Sequence, residues 1–168
     1  ESIITNNDHE NTEINASLKQ GIPAELRPRI WEFLTSKTRS EKEQEEKTYN
    51  KLSSTPCACE NSIKNDIHRT FGSNPFFSEK QEGQQVLMRV LRAYANFDTE
   101  IGYTQGMNYI VGGLLVMLRP EIYPNTESGY FANYSEQFEE KVFWIFVHIM
   151  YTKNWRSAFF PGTPKVIE

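Results

Sequence analysis

The stretch that runs from Met107 to its stop at Pro120 constrains the fold more than any other part of this sequence. It reads as a helix that is apolar nearly all round, with Leu114, Leu115, Met117 and Leu118 spread over its faces. A helix with no polar face has to be covered on all sides, so other elements must surround it. Its apolar run, Ile110 to Leu118, and a second, Val142 to Tyr151, are each about ten residues, half of what a membrane-spanning helix requires. Both read as buried helices of a soluble protein.

The candidates to surround the central helix are themselves helical. Gly21-Ile22-Pro23 sets up a turn, after which Leu26, Ile30, Phe33 and Leu34 fall at offsets 0, 4, 7 and 8, one face of an amphipathic helix. Pro28 has no backbone donor and is expected in the opening turn. Residues 40 to 53 form a charged segment in which Ser40 and Glu43 make a capping box and only Tyr49 and Leu52 reach toward a core. Lys37 to Lys51 hold five basic and four acidic residues, so the local field is nearly neutral and a solvated helix is expected rather than an acidic docking strip. Ile63 and Ile67 mark a short helix, carrying Asp66 and Arg69 on neighbouring positions, that Gly72-Ser73-Asn74-Pro75 ends. Ser78 and Gln81 fit a second capping box, followed by Leu87, Val90, Leu91 and Tyr94 at helical spacing, with Gly83 weakening only the first turn. After a Gly-, Pro- and Asn-rich stretch from Pro120 to Asn133, a last helix capped by Ser135 carries Phe138, Val142, Ile145, Phe146 and Ile149. The Phe143, Trp144 and Phe146 cluster reads as core. No run alternates cleanly enough for a strand and no internal repeat is present. The fold class is all-α, an irregular multi-helix domain.

Composition narrows the function classes. At 168 residues, 38% of them hydrophobic, the chain holds one domain with a sizeable core. Residues 1 to 20 are polar and aperiodic, a flexible lead-in without the apolar run of a signal peptide. With 18 Lys plus Arg against 22 Asp plus Glu, the net charge of -4 gives no sequence-independent attraction to nucleic acid or anionic lipid. Cys57 and Cys59, one residue apart, have no second pair at zinc-site spacing and indicate neither a disulfide framework nor a metal, which suits a reducing, cytoplasmic setting. The scattered His9, His68 and His148 have no Ser or Cys nucleophile at a recognisable motif. His68 is expected at the surface and His148 in helix packing.

Two side chains remain that can carry chemistry. Arg69, near a helix end, can project a permanently charged fork suited to phosphate oxygens. Taken alone, Asp66 and Arg69 read more readily as a local ion pair of about 0.2 to 0.5 kcal/mol. Gln105 lies between Gly102 and Gly106 at the mouth of the central helix, where another molecule can approach the backbone and an amide can donate and accept, as orienting a water requires. Taken alone, it reads more readily as a helix cap.

Three ordered motifs bear on that choice: Gly21-Ile22-Pro23-x-x-Leu26-Arg27-x-x-Ile30-Trp31, Ile63-x-x-Asp66-x-x-Arg69-Thr70-Phe71, and Gly102-Tyr103-x-Gln105-Gly106-Met107-Asn108. In order and spacing this sequence resembles the TBC domain of Rab GTPase-activating proteins. The closing Asn154-Trp155-Arg156-x-x-Phe159-Phe160-x-Gly162-x-Pro164 is similar to a looser pattern of the same family, so the resemblance covers residues 21–168. It implies a dual-finger mechanism. Arg69 is the expected arginine finger, inserted in trans to neutralise charge on the GTP of a Rab-family small GTPase, and Gln105 the glutamine finger that orients the attacking water. Asp66 is expected to hold Arg69, and Tyr103, with Gly106, to support the Gln105 loop. The chain needs no cofactor of its own, since GTP and Mg²⁺ are carried by the partner, and it has no Gly-x-x-x-x-Gly-Lys-Ser/Thr loop with which to hold phosphates. Vesicle trafficking and a place peripheral to endomembranes, reached through the partner without direct membrane insertion, follow from the same resemblance.

The family continues into a second helical lobe beyond the position of Pro164. This chain is therefore expected to be a first lobe, with apolar residues such as Trp144 and Phe159 exposed and inviting self-association. Gly72 stands where the family often has Pro. The alternative function is a non-catalytic TBC-fold scaffold that binds a GTPase or another protein partner without accelerating hydrolysis. A helical bundle with no GTPase partner would treat both motifs as local structure.

Overall fold

A computed structural model describes residues 21, 23, 26, 30, 48–78, 82–118 and 136–160 of the 168. The fold is all-α, and no strand occurs among the described residues. Helical residues 48–54 lead to α1 (Glu60–Ile67), a 3₁₀ turn at Pro75–Phe77, α2 (Glu82–Phe97), α3 (Met107–Leu118), α4 (Glu136–Thr152) and a 3₁₀ turn at Trp155–Phe159.

The apolar helix takes the place its composition demands. α3 packs on α1, α2 and α4, and Tyr109 is its one exposed residue. α2 shares the centre: it touches α1, α3, α4 and the Pro75–Phe77 turn, and its Val86, Leu87, Val90, Leu91 and Tyr94 are fully buried. α4 adds Phe138, Val142, Ile145, Phe146 and Ile149 to this core. Each such side chain removed from water contributes about 1.5 to 3 kcal/mol, which is what drives four helices of unequal polarity together. Tyr49 is buried and Leu52 packs against the core, as the pattern of residues 40 to 53 requires.

Charged side chains fix the helices relative to one another. Arg92 on α2 donates to Glu60 at the start of α1 at 2.5 and 3.1 Å and to the Ser53 carbonyl at 3.0 Å. One turn earlier on α2, Arg89 donates to Glu139 at 2.5 and 2.8 Å, and the Tyr49 hydroxyl donates to the same carboxylate at 2.9 Å.

Four expectations change. α1 ends at Ile67 rather than at Gly72, because the chain tightens there into bonds from Arg69 N–H to the Asp66 carbonyl (3.2 Å) and from Thr70 N–H to the Ile67 carbonyl (3.1 Å). Gly83 is no weak point: a Cβ there would lie 2.3 Å from the Phe76 carbonyl oxygen, so the 3₁₀ turn can sit on α2 only if residue 83 has no side chain. Leu26 does not join a helix face, since its N–H closes a tight turn onto the Pro23 carbonyl at 3.0 Å and it is exposed. Trp144 and Phe159 are half-buried against the core, Trp144 meeting Phe97 and Phe143 edge-on at 5.8 and 4.8 Å. The lead-in 1–20, the helix positions Phe33 and Leu34, and the caps at Ser40–Glu43, Gln81 and Ser135 lie outside the described residues.

Candidate functional site

The Arg69 and Gln105 segments meet through buried polar groups at the end of α1 and the start of α3. Asp66, in the last turn of α1, is buried and pairs with Arg69 through Oδ1. Its Oδ2 accepts a 2.6 Å hydrogen bond from the Tyr103 hydroxyl, so one carboxylate is held from both segments. Burial raises the Tyr103 phenol above its ordinary value, and the hydrogen bond and charge of Asp66 raise it further, so it stays a donor at any ordinary pH. The Arg69 side chain is 54% exposed despite its pairing, because the backbone has already left α1. The pair is thus exposed on its arginine side alone, where another anion can compete with the buried carboxylate for the guanidinium.

Gln105 is exposed in a turn that the Met107 N–H closes onto the Thr104 carbonyl at 3.2 Å. Gly106, third in that turn, has φ +108°, the type II pattern that a side chain at this position would strain. Behind the turn, the Gly106 N–H donates to Asn108 Oδ1 at 2.9 Å, and Asn108 Nδ2 donates to Thr70 Oγ1 at 2.8 Å. Thr70 in turn donates to the Asp66 carbonyl at 2.7 Å, and both Thr70 and Asn108 are fully buried. Phe71, next along the chain, has φ +47° and lies edge-on to Tyr109, whose hydroxyl donates to the Arg69 carbonyl at 3.4 Å. Gly112 gives this segment its seat, since a Cβ there would sit 3.0 Å from the Phe71 ring and 3.1 Å from Thr70 Cγ2.

The arrangement therefore brings together Asp66, Arg69, Tyr103, Gln105 and Gly106, all of the expected site residues. It leaves out both described histidines: His68 is exposed and His148 is half-buried in α4. Cys57 and Cys59 are free thiols, and Cys59 Sγ accepts from the Tyr103 N–H at 3.4 Å. Among the described residues no cluster of His, Cys, Asp or Glu is placed to hold a metal ion. No described helix is long and apolar enough to cross a membrane.

Four further residues shape the site without a role in the sequence-based expectations. For Thr70 and Asn108 the signal is a lone amide in an otherwise apolar helix, which must find partners when buried. Asp98 and Arg156 give no local signal, being 58 positions apart. Arg156 donates to both Asp98 oxygens at 2.7 and 2.9 Å and to Glu100 at 2.6 Å, tying the Trp155–Phe159 turn to the loop that leads into Tyr103. Burial works against ionisation of Asp98, yet the bonds from Arg156, the Tyr94 hydroxyl and the Ile101 N–H outweigh it and hold the carboxyl down to about 2. Phe159, from the same turn, lies 3.7 Å from where a Cβ on Gly106 would be.

A family model described as the Rab-GTPase-TBC domain matches residues 24–168, which takes in every segment of this network. The chain belongs to the TBC family. Among curated proteins, this TBC chain is 34% identical over 152 residues to the human ecotropic viral integration site 5 protein homolog and 33% identical over 150 residues to its Drosophila melanogaster ortholog, covering 89% of the chain in each case. It is 30% identical over 161 residues, 96% of its length, to the GTPase-activating protein GYP5 of Saccharomyces cerevisiae. The matched TBC segment spans only 16%, 16% and 15% of those three proteins, respectively.

Proposed function

We propose that this chain carries the catalytic centre of a GTPase-activating protein for a Rab-family small GTPase, and that Arg69 and Gln105 complete the partner's active site. The observation that carries this reading is the pairing of two exposed, chemically different side chains on turns that share one buried polar network. Asp66 keeps the guanidinium extended from a buried base, and the γ-phosphate of a docking GTPase offers the arginine a better anion than a half-screened carboxylate. Transferred to that site, the fork neutralises charge growing on the γ-phosphate and on the β-γ bridging oxygen, while the Gln105 amide orients the attacking water. Phosphoryl transfer is mostly positioning and electrostatic stabilisation, and an arginine supplied in trans is worth about 10³ to 10⁵ in rate. GTP and Mg²⁺ are the partner's, and so is the lipid anchor that brings the complex to endomembranes.

Single-turnover GTP hydrolysis across a panel of Rab proteins, with the protein as it occurs in the cell, tests this. Arg69→Ala is expected to lower the accelerated rate by about 10³-fold or more, and Gln105→Ala to lower it strongly while the GTPase still binds. Binding without acceleration of any Rab, or acceleration that both variants leave unchanged, would establish the scaffold reading instead.

A further inference from the structure

We propose that Asn108 is a positioning residue that sets Arg69 and Gln105 as one unit, its single side-chain amide spanning the two segments that carry them. This rests on the assignment of those two residues above. Asn108 is fully buried on the first turn of α3. Its Nδ2 reaches Thr70 Oγ1 at 2.8 Å, one residue beyond Arg69, and its Oδ1 takes the Gly106 N–H at 2.9 Å, one residue beyond Gln105. The direction of the amide is dictated by its neighbours. Thr70 spends its hydroxyl proton on the Asp66 carbonyl, so it presents only lone pairs to Asn108. The Gly106 amide presents only a proton. A group that donates at one end and accepts at the other, within the length of one short side chain, is a primary amide. Asp cannot donate, Leu can do neither, and Gln is a methylene too long.

Tyr103 and Asp66 make a second link between the same two segments, but that link ends on the Arg69 guanidinium itself, the group that must leave Asp66 to reach phosphate. Asn108 holds the Gly106 backbone and the Thr70 hydroxyl instead, neither of which has to move. It keeps the turn of Gln105 and the turn of Arg69 in fixed relation while the arginine side chain moves between its two anions. A displacement of either group by about 1 Å is enough to cost about a hundredfold in rate, so such a link is needed for both groups to meet one nucleotide.

The test uses the protein as it occurs in the cell and three variants. Thr70→Val removes the hydroxyl at constant shape, Asn108→Leu removes both bonds, and Thr70→Ser keeps the hydroxyl. Thr70→Val and Asn108→Leu are expected to lower kcat of stimulated GTP hydrolysis by about tenfold to a hundredfold, with KM for the GTPase changed less than about threefold, and Thr70→Ser to behave as wild type. Independently of any GTPase, hydrogen exchange at the Gly106 amide, on the far segment, is expected to rise about tenfold in Thr70→Val and not in Thr70→Ser. Unchanged exchange at Gly106 in Thr70→Val overturns the coupling. So does a folded Thr70→Val with wild-type kcat, in a protein whose Arg69→Ala and Gln105→Ala variants have lost theirs. A wild-type protein that accelerates no Rab overturns the function and leaves the exchange measurement to decide the coupling.

Discussion

At the residue scale, the site is governed by where a few polar atoms find partners in a small buried volume. Tyr103 shows the consequence most directly. Its hydroxyl fills one side of the Asp66 carboxylate while Arg69 fills the other, so Tyr103→Phe leaves a buried, charged acceptor one donor short. The expected loss is about 1.5 to 3 kcal/mol of stability in urea unfolding, together with reduced GTPase stimulation as Asp66 draws more closely on Arg69. A variant as stable as the parent would show that water replaces the hydroxyl. The motifs themselves made Asp66, Arg69, Tyr103, Gln105 and Gly106 legible in the sequence. Thr70 and Asn108 were written there too, but their role depends on a pairing across 38 positions that no local pattern discloses.

At the scale of the elements, periodicity carried α2 and α4, which each bury a face that repeats every three or four residues, and all-round apolarity carried α3. These patterns failed where steric contact between elements decides the outcome. Gly83 is the clearest case: propensity says Ala should stabilise the first turn of α2 by about 1 kcal/mol, whereas packing says otherwise. A methyl at that position would sit 2.3 Å from a backbone oxygen and 2.7 Å from the Phe76 ring, and the oxygen cannot rotate away. Gly83→Ala is therefore expected to destabilise by about 1 to 3 kcal/mol, the cost of forcing a packed turn off a helix, with a correspondingly lower denaturant midpoint. A rise in the midpoint would mean that the Pro75–Phe77 turn sits less tightly than described. The end of α1 follows the same logic, since its premature tightening is set by where Thr70 must go rather than by the Gly-Ser-Asn-Pro run downstream.

At the scale of the molecule, one ion pair connects the last described turn to the loop ahead of Gln105. Asp98 is held at about 2 against an ordinary carboxyl value near 3.8, so the folded form binds its proton more weakly than the unfolded chain does. Its contribution, about 2 kcal/mol, is present above the unfolded value and is lost as pH falls through the folded one, between about pH 4 and pH 2. Arg156→Leu is expected to be less stable than the parent at neutral pH, with the gap narrowing across that acid window as Asp98 takes up a proton in both proteins. A gap independent of pH would assign the loss to stacking of the Arg156 guanidinium over the Tyr151 and Phe160 rings instead.

The hydrogen bond from Tyr49 to Glu139 spans 90 positions of chain, and time on the ribosome converts that distance into a delay. At about 5 to 20 residues per second, some 5 to 20 seconds separate the synthesis of Tyr49 from that of its acceptor. α1, α2 and α3 emerge within that interval, and so do both ends of the Asn108 bridge. The paired turns around Arg69 and Gln105 can thus assemble before α4 emerges to cover the core, while the Tyr49 hydroxyl, on a segment that α2 already holds through Arg92, waits for its acceptor. The candidate site is made early in the life of the nascent chain, and the helix that covers its hydrophobic support comes last.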